Sequence, residues 1–362
     1  MTDYQIDVYD LDGGLVLSDL PALGPVTYGE VLNAPGASTI RCSMAETDVN
    51  RTNLEPGERD IRVVRDGETV WGGYLWSADC DFDEETVTFT SEGYYSRLRR
   101  WYPLDDLFFV NVDQFHIVRD LIDYVQSGAI PGGGSADYSQ DFGWNVVTNG
   151  NSGVTRKRNW CCPPTESIAD FIDELAAHDN GFDFAWHPNK DVELWSPRRG
   201  VVTSAHFVWS RNPDQTSNVW RISDASIDGH DSVTLLIGLP PDDGCFECAD
   251  LTLVEPLTGA HEDSKGILME THDMTHIRDS DSREHHAREY LRIHKHNRQQ
   301  VTIETPLLPW GNYEVGDIVM LTAEPGYIHW TLRQMRVISW TVTVDGGNEK
   351  ATVMLDSQVD EN

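Results

Sequence analysis

The sequence is poor in positive charge, and lysine is especially scarce. Only 27 of the 362 residues are Lys or Arg, five of them Lys, against 60 Asp or Glu, so the formal net charge is -33. A protein that binds duplex DNA or an anionic membrane by neutralising phosphates needs the opposite sign of charge. The composition therefore excludes a simple binder of either kind.

The chain also lacks a run of about 20 apolar residues, which a membrane-spanning helix requires. Its first residues form neither a basic nor an apolar leader segment, so we expect no secretion signal and no stable membrane insertion. Disorder is not expected, because 39% hydrophobic residues, with 12 Trp, 12 Tyr and 11 Phe, can bury a large core. At roughly 100 to 200 residues per domain, the length predicts two or three domains.

The six cysteines are too few and too scattered for a disulfide framework in a chain of this length. Cys245 and Cys248 form a Cys-x-x-Cys pair, and either His261 or the pair His272 and His276 follows as candidate nitrogen ligands for zinc. The spacing matches no zinc signature, so the favoured interpretation is small buried hydrophobes and surface histidines. No metal and no cofactor is predicted.

Catalytic motifs are absent as well. The chain contains no Gly-x-Ser-x-Gly, no His-Glu-x-x-His and no Gly-x-x-x-x-Gly-Lys-Ser/Thr. Carboxylate pairs such as Asp105 and Asp106, or Glu84 and Glu85, would suit a glycosidase, but 60 acids produce such pairs by chance. We therefore predict a protein that is not an enzyme and name no catalytic residue.

The acid excess is spread along the whole chain, and Asp outnumbers Glu 38 to 22. This composition resembles that of proteins from salt-accumulating halophiles. At 1 M salt the Debye length is only about 3 Å, so self-repulsion between carboxylates is screened. We expect the protein to need molar salt to fold.

Two basic clusters stand out in this acidic chain. One is Arg97, Arg99 and Arg100 before two aromatic residues, and the other is residues 156–158. A base-stacking patch for nucleic acid is one interpretation of the first cluster. Pairing with neighbouring carboxylates is favoured for that cluster, and contact with an acidic partner subunit is favoured for the second.

The apolar pattern predicts strands at both ends of the chain and helices in the middle. The predicted helices cover about 115–125 and 168–176, and a third follows a capping-box spacing between Asp281 and Glu284. A long exposed loop is expected from Gly128 to Gly153. The predicted fold is mainly β with an α+β insert: a first tube-like β-domain (1–110), an α+β insert (111–200), a β-rich insert (201–280), and a helix with a second tube-like β-domain (281–362).

The terminal β regions also resemble each other. In both, an acidic residue stands two positions before a glycine, at Glu55 to Gly57 and at Glu314 to Gly316, and strands with tryptophans and an alternating strand follow. A repeat at this distance suggests two related β-barrel or sandwich domains on either side of the insert.

Six segments in this order form a recognisable group. They are DLDGG (10–14), VTYGEVLNAPGA (26–37), VVRDGETVWGG (63–73), NGFDF (180–184), LWSPRRG (194–200) and VGDIV (315–319). Together they resemble the minor tail proteins of long-tailed viruses, which form the baseplate hub at the tail tip. With the acidic composition, the resemblance points to a tailed virus of a halophilic archaeon.

The resemblance implies a homotrimer in which each chain contributes two tube-like domains to a pseudo-sixfold ring. Such a ring would close the tail tube, leave a channel for transient passage of viral DNA, and contact the tail tube protein, the distal tail protein, the tape-measure protein and receptor-binding or fibre proteins. The implied location is the tail tip of the virion, assembled in the host cytoplasm. Two alternatives remain open: an adhesin that binds the host surface, and a tail enzyme that hydrolyses glycans.

Overall fold

The structure is a computed structural model. It describes residues 2–130, 133–135, 138–148, 150–160, 165–178, 180–212, 216–228, 230, 233, 235–239, 252–254, 269–273, 287–288, 290–291, 294, 298–324 and 326–357.

Strands dominate the described residues, as the sequence predicts. In chain order they are β1 (Tyr4–Asp10), β2 (Leu15–Leu17), β3 (Val26–Val31), β4 (Ala37–Ser43), β5 (Arg59–Arg65), β6 (Glu68–Asp81), β7 (Thr86–Gly93), β8 (Leu107–Asp113), β9 (Asn145–Val146), β10 (Thr155–Trp160), β11 (Asp183–Trp186), β12 (Asp191–Trp195), β13 (Val202–Trp209), β14 (Arg221–Asp228), β15 (Leu235–Leu239), β16 (Thr252–Val254), β17 (Met269–Asp273), β18 (Arg298–Thr305), β19 (Ile318–Ala323), β20 (Trp330–Asp345) and β21 (Asn348–Asp356).

Two α-helices, α1 (Gln114–Ser127) and α2 (Ile168–Ala177), are complete within the described residues. The Asp113 carboxylate caps α1 by accepting a hydrogen bond from the amide of Phe115, and α1 ends at Gly128 with a φ of 72°. Ser167 and Asp170 form a capping box at the start of α2. No helix in the described part of the chain combines the length and apolar composition of a membrane-spanning segment.

Thirteen strands form one large sheet. Its main path runs β14, β18, β21, β20, β3, β4, β7, β6, β5, β1, β2, and β19 pairs with the first half of β20 while β13 pairs with β19. Neighbouring strands are antiparallel except β13 and β19, which are parallel. The described strands do not form a closed barrel, which corrects the expectation of barrel domains. Among them, β14 and β2 at the two ends of the path are each paired on one side only.

The core has two main parts. One lies on a single face of the large sheet and includes Tyr28, Trp71, Phe89 and Trp340. The other surrounds α1 and α2 and continues to the aromatic residues that follow β7. The two helices thus share the second core, separate from the core of the large sheet.

Two features of the predicted β-rich end and loop are clear only in the structure. β20 is one continuous strand of 16 residues, because its first half pairs with β19 and its second half with β21, so no turn interrupts it. The expected exposed loop after Gly128 buries Phe142 and Trp144, whose rings stack 4.7 Å apart on the insert core. Two isolated aromatic anchors leave no periodic signal.

The start of the third predicted helix, at Asp281, lies outside the described residues. Further along, Ala287 and Leu291 are helical and pack against Val233 and Leu236.

Candidate functional site

The large sheet contains the same order of strands twice. One series runs β3, β4, β7, β6, β5, β1, and the other runs β14, β18, β21, β20, β19, β13. The one difference in direction is at the end, where β1 is antiparallel to β5 and β13 is parallel to β19.

Local details repeat with the strand order. Each long strand, β6 and β20, has a bulge just after an apolar residue, Leu75 in β6 and Val337 in β20. The carbonyl of that residue accepts a hydrogen bond from a glycine amide, Gly57 at 2.7 Å and Gly316 at 2.8 Å. Both glycines have positive φ, 83° and 98°, which a residue with a side chain adopts at a cost. The glycine turns that precede β5 and β19 are therefore equivalent.

Residues that pair across neighbouring strands establish the equivalence one by one. The first row is Leu75, Ser91, Ser38 and Tyr28, across β6, β7, β4 and β3. The second row is Val337, Leu355, Val301 and Ala225, across β20, β21, β18 and β14. Tyr28 in β3 is therefore equivalent to Ala225 in β14.

The two series meet inside the chain at a seam, the pairing of β3 with the second half of β20. Six consecutive residue pairs join the strands, from Val31 opposite Ser339 to Val26 opposite Val344. Tyr28 lies opposite Val342, is fully buried, and packs edge-on against Trp340 with ring centroids 6.2 Å apart. The seam is thus a continuous, well-packed part of the sheet.

The equivalent strand edges elsewhere have no such partner within the described residues. The second half of β6, residues 77–81, pairs with β7 on one side only, and β14 pairs only with β18. Cys80 follows Leu75 by five residues, as Val342 follows Val337, so Cys80 is equivalent to Val342. Val342 is fully buried, whereas Cys80 is exposed and Phe82 beyond it is 81% exposed.

A groove of about 410 Å³ runs beside the edge of β6. The apolar side chains that line it are Met44, Val49, Leu54, Pro56, Ala78, Cys80, Val87 and Phe89. Val87 and Phe89 pair with Cys80 and Ala78, just as Ala351 and Val353 pair with Val342 and Trp340 in the filled seam. The groove therefore occupies the position that, at the seam, the β3 side chains fill.

The face of the sheet opposite its core is rich in hydroxyl groups. Thr343, Thr27, Thr39 and Thr90 form one continuous row across β20, β3, β4 and β7. All four residues are half-buried. Lys350 of β21 pairs with Thr343 and continues this row.

A buried ionic junction connects the two β regions to the insert. The Asp183 carboxylate of β11 accepts hydrogen bonds from the Asn33 amide at 2.8 Å, from the backbone amide of Arg199 at 2.7 Å, and from the Arg336 guanidinium of β20. Arg336 also donates to the carbonyls of Arg199 and Gly316. Asp183 is 5% exposed and Arg336 7% exposed, so every donor and acceptor here replaces water.

A second buried acid, Asp60 in β5, ties the sheet to the loop before β12. Its carboxylate accepts a hydrogen bond from Tyr94 at 2.8 Å and lies 3.0 Å from Arg62 and 3.2 Å from Lys190. Burial, and then the Asp60 charge, raise the pKa of the Tyr94 hydroxyl well above its ordinary value. The neutral phenol of Tyr94 and the pairing of the Asp60 carboxylate with two cations are typical of a contact that stabilises the fold.

Of the zinc candidates that the sequence offers, the structure describes only one. The candidates outside the described residues are Cys245, Cys248, His261 and His276. His272 lies in β17 with its backbone opposite Gly238. Among the residues that the structure describes, no cluster of three or more His, Cys, Asp or Glu could hold a metal ion.

The two basic clusters make contacts within the chain. The sequence predicts that Arg97 pairs with carboxylates, but the described contacts of this residue are different. Its guanidinium donates a hydrogen bond to the carbonyl of Gly57. It also lies over the rings of Tyr74, Trp76 and Phe142. Aromatic faces attract the cation without a carboxylate.

In the second basic cluster, Arg158 pairs with Glu174 of α2 at 3.1 Å. Arg156 donates to the side-chain carbonyl of Gln114. The expected contact of these residues with an acidic partner subunit stays a prediction.

The chain shares its fold with solved structures of tail proteins. The 43 kDa tail protein of prophage MuSo2 from Shewanella oneidensis matches with a TM-score of 0.67 and 14% identity over 98% of both chains. A tail protein from Neisseria meningitidis matches with 0.65 and 13% over 98% of this chain and 97% of its own. Prophage tail protein gp18 from Listeria monocytogenes matches with 0.59 and 13% over 99% and 95%. No family model and no curated protein sequence matches.

Proposed function

We propose that this chain is a structural protein of a viral tail tip, in which three copies form a baseplate hub that closes the distal end of the tail tube. The observation that carries the proposal is the doubled strand order. β3 and β20 pair at the seam, whereas the equivalent edges of β14 and β6 have no partner among the described strands. Two equivalent modules per chain let three chains form a ring of six, the symmetry that a sixfold tube requires. The tail-protein fold of the chain supports the same role.

The two modules in this proposal follow the strand pairing. The first is the predicted 1–110 domain. The second comprises the strands of the predicted 281–362 domain together with β13 and β14, which pair with β19 and β18 although they lie in the predicted 201–280 region. Residues 111–200 form the α+β insert between them.

The hydroxyl-rich face of the sheet would line the channel. Threonine side chains offer neither cations that hold phosphates nor apolar rings that stack on bases, so DNA passes without sticking. The tail tube, distal tail, tape-measure and receptor-binding proteins remain the proposed partners, and a tailed virus of a halophilic archaeon remains the proposed source.

Oligomeric state tests the proposal. Light scattering in 2 M to 3 M salt should give the mass of a trimer, and electron microscopy of the same sample should show threefold rings that bind tail tube protein. A protein that stays monomeric under these conditions and binds host cells directly contradicts the proposal and favours the adhesin alternative. Hydrolysis of host-surface glycan by the chain would favour the enzyme alternative.

A further inference from the structure

We propose that the outer edge of β14 in one copy pairs with residues 77–81 of β6 in a second copy, in the register of the internal seam. This inference rests on the proposed function, since it names the surface through which the ring closes. The occupant of the groove beside β6 is thereby a second copy of this chain.

At the seam inside the chain, β3 adds to the second half of β20, and the equivalents of these two strands are β14 and the second half of β6. Both equivalents present an edge that no described strand covers, and each edge carries unpaired backbone donors and acceptors. Because the equivalent strands already pair with each other at the seam, we expect these two edges to pair in the same way.

The register follows from the residue equivalences. Within the chain Tyr28 pairs with Val342. Ala225 is equivalent to Tyr28 and Cys80 to Val342, so Ala225 of one copy lies opposite Cys80 of the next. One residue further along each strand, Ser226 lies opposite Asp79, and on the other side Asp224 lies opposite Asp81.

The side chains fit this register on the apolar face. Ala225 packs against the core of the sheet. Ile227, two residues further along the strand, lies on the same face of β14 and is 39% exposed in the single chain. Opposite them, Ala78 and Cys80 border the groove. Pairing therefore covers apolar surface on both copies, which is the condition for a stable strand addition.

On the other face the pairing brings carboxylates together. Asp81 faces Asp224, and Asp79 is the next residue on that face of β6. Like charges directly opposite in a sheet are unfavourable, and each chain has a formal charge of -33. The contact therefore forms in high salt, where a Debye length of about 3 Å screens the repulsion.

Thiol cross-linking tests the register, because the native Cys80 provides one half of the pair. The variant Ala225→Cys places the second thiol opposite it. A disulfide needs Cβ atoms about 3.5 to 4.5 Å apart, which neighbouring strands meet only at matched positions on one face. Burial raises the pKa of Cys42 to about 12, so that thiol stays protonated and unreactive.

The variant should form covalent dimers and trimers on oxidation in 3 M salt, with at least tenfold more product than two controls. Ser226→Cys is the first control, one residue out of register and on the other face. The second control combines Cys80→Ser with Ala225→Cys. A short bifunctional thiol reagent should give the same difference in cross-linked product between the variant and the controls. If the ring closes at three chains, the ladder of products ends at the trimer.

The possible outcomes distinguish a failure of the proposed strand pairing between copies from a failure of the proposed trimer. A protein with the mass of a trimer that cross-links no better in Ala225→Cys than in Ser226→Cys overturns the seam and leaves the hub proposal standing. A protein that stays monomeric in all salts overturns both. Thermal unfolding of each variant, matched to the parent chain, establishes that it folds.

Discussion

Replacing Asp183 by Asn removes the central charge of the junction that holds β11 of the insert to β20 of the sheet. The amide keeps the shape of the carboxylate but leaves the guanidinium of Arg336 in a site where the residue is only 7% exposed. Its remaining acceptors are two backbone carbonyls, those of Arg199 and Gly316. Removing one partner of a buried ion pair costs about 3 to 5 kcal/mol, because the other charge stays buried without compensation.

The expected change in melting temperature follows from the size of the chain. Unfolding entropy is about 2.1 cal/mol/K per residue near 60 °C. If the 362 residues unfold as one cooperative unit, a loss of this size lowers Tm by roughly 4 to 7 °C. Calorimetry in 3 M salt measures Tm and tests the cooperativity at the same time.

A double-mutant cycle isolates the pair. Arg336→Met removes the cation, and the combination with Asp183→Asn leaves a neutral, hydrogen-bonded amide. We expect the double variant to lose at least about 1.5 kcal/mol less than the sum of the single variants, since contacting charges couple. Glu55→Gln, which removes an exposed ion pair with Arg51, is the control and should change Tm little. A fall of less than 1 °C for Asp183→Asn, or additive effects, would refute the reasoning.

Three further predictions concern pH, salt and backbone packing. Burial raises the pKa of the Glu30 carboxyl above its ordinary 4.5, so its contribution to stability is complete below that pH and is lost as pH rises through the folded-state pKa. Glu30→Gln should therefore raise Tm at pH 8 and flatten the dependence of Tm on pH above 4.5, and a lower Tm at pH 8 would contradict this. Asp224→Asn, which removes one carboxylate of the proposed pair with Asp81, should shift trimer assembly to lower salt in a light-scattering titration, and an unchanged midpoint counts against the register. A Cβ at Gly36 would lie 1.8 Å from the carbonyl oxygen of Gly29, so Gly36→Ala should destabilise the protein by about 3 kcal/mol in urea unfolding, and a loss under 0.5 kcal/mol would show that the backbone there yields freely.

Local elements could be predicted because their signals lie within a few residues. The helices α1 and α2 both occur where the sequence places them, at about 115–125 and 168–176. Turn geometry and helix capping depend on neighbouring backbone conformations, which side chains in the same segment determine.

The candidate site could be predicted only in outline. The glycine turns at Gly57 and Gly316 pointed to a repeat, but the equivalence of Tyr28 with Ala225 needs the pairing of four successive strands. Side-chain identity does not reveal it, because a tyrosine and an alanine share only the inward direction. Sequence likewise gives no sign that Cys80 is exposed, since cysteine is usually buried.

The sequence by itself determined the β-rich class, the positions of α1 and α2 and the excess of negative charge. The tertiary structure alone decided that β3 joins β20, that Asp183 meets Arg336 across 153 residues of chain, and which two strand edges stay unpaired. These outcomes depend on contacts between distant segments. Their energy comes from packing and desolvation in the assembled fold, and no local segment carries it.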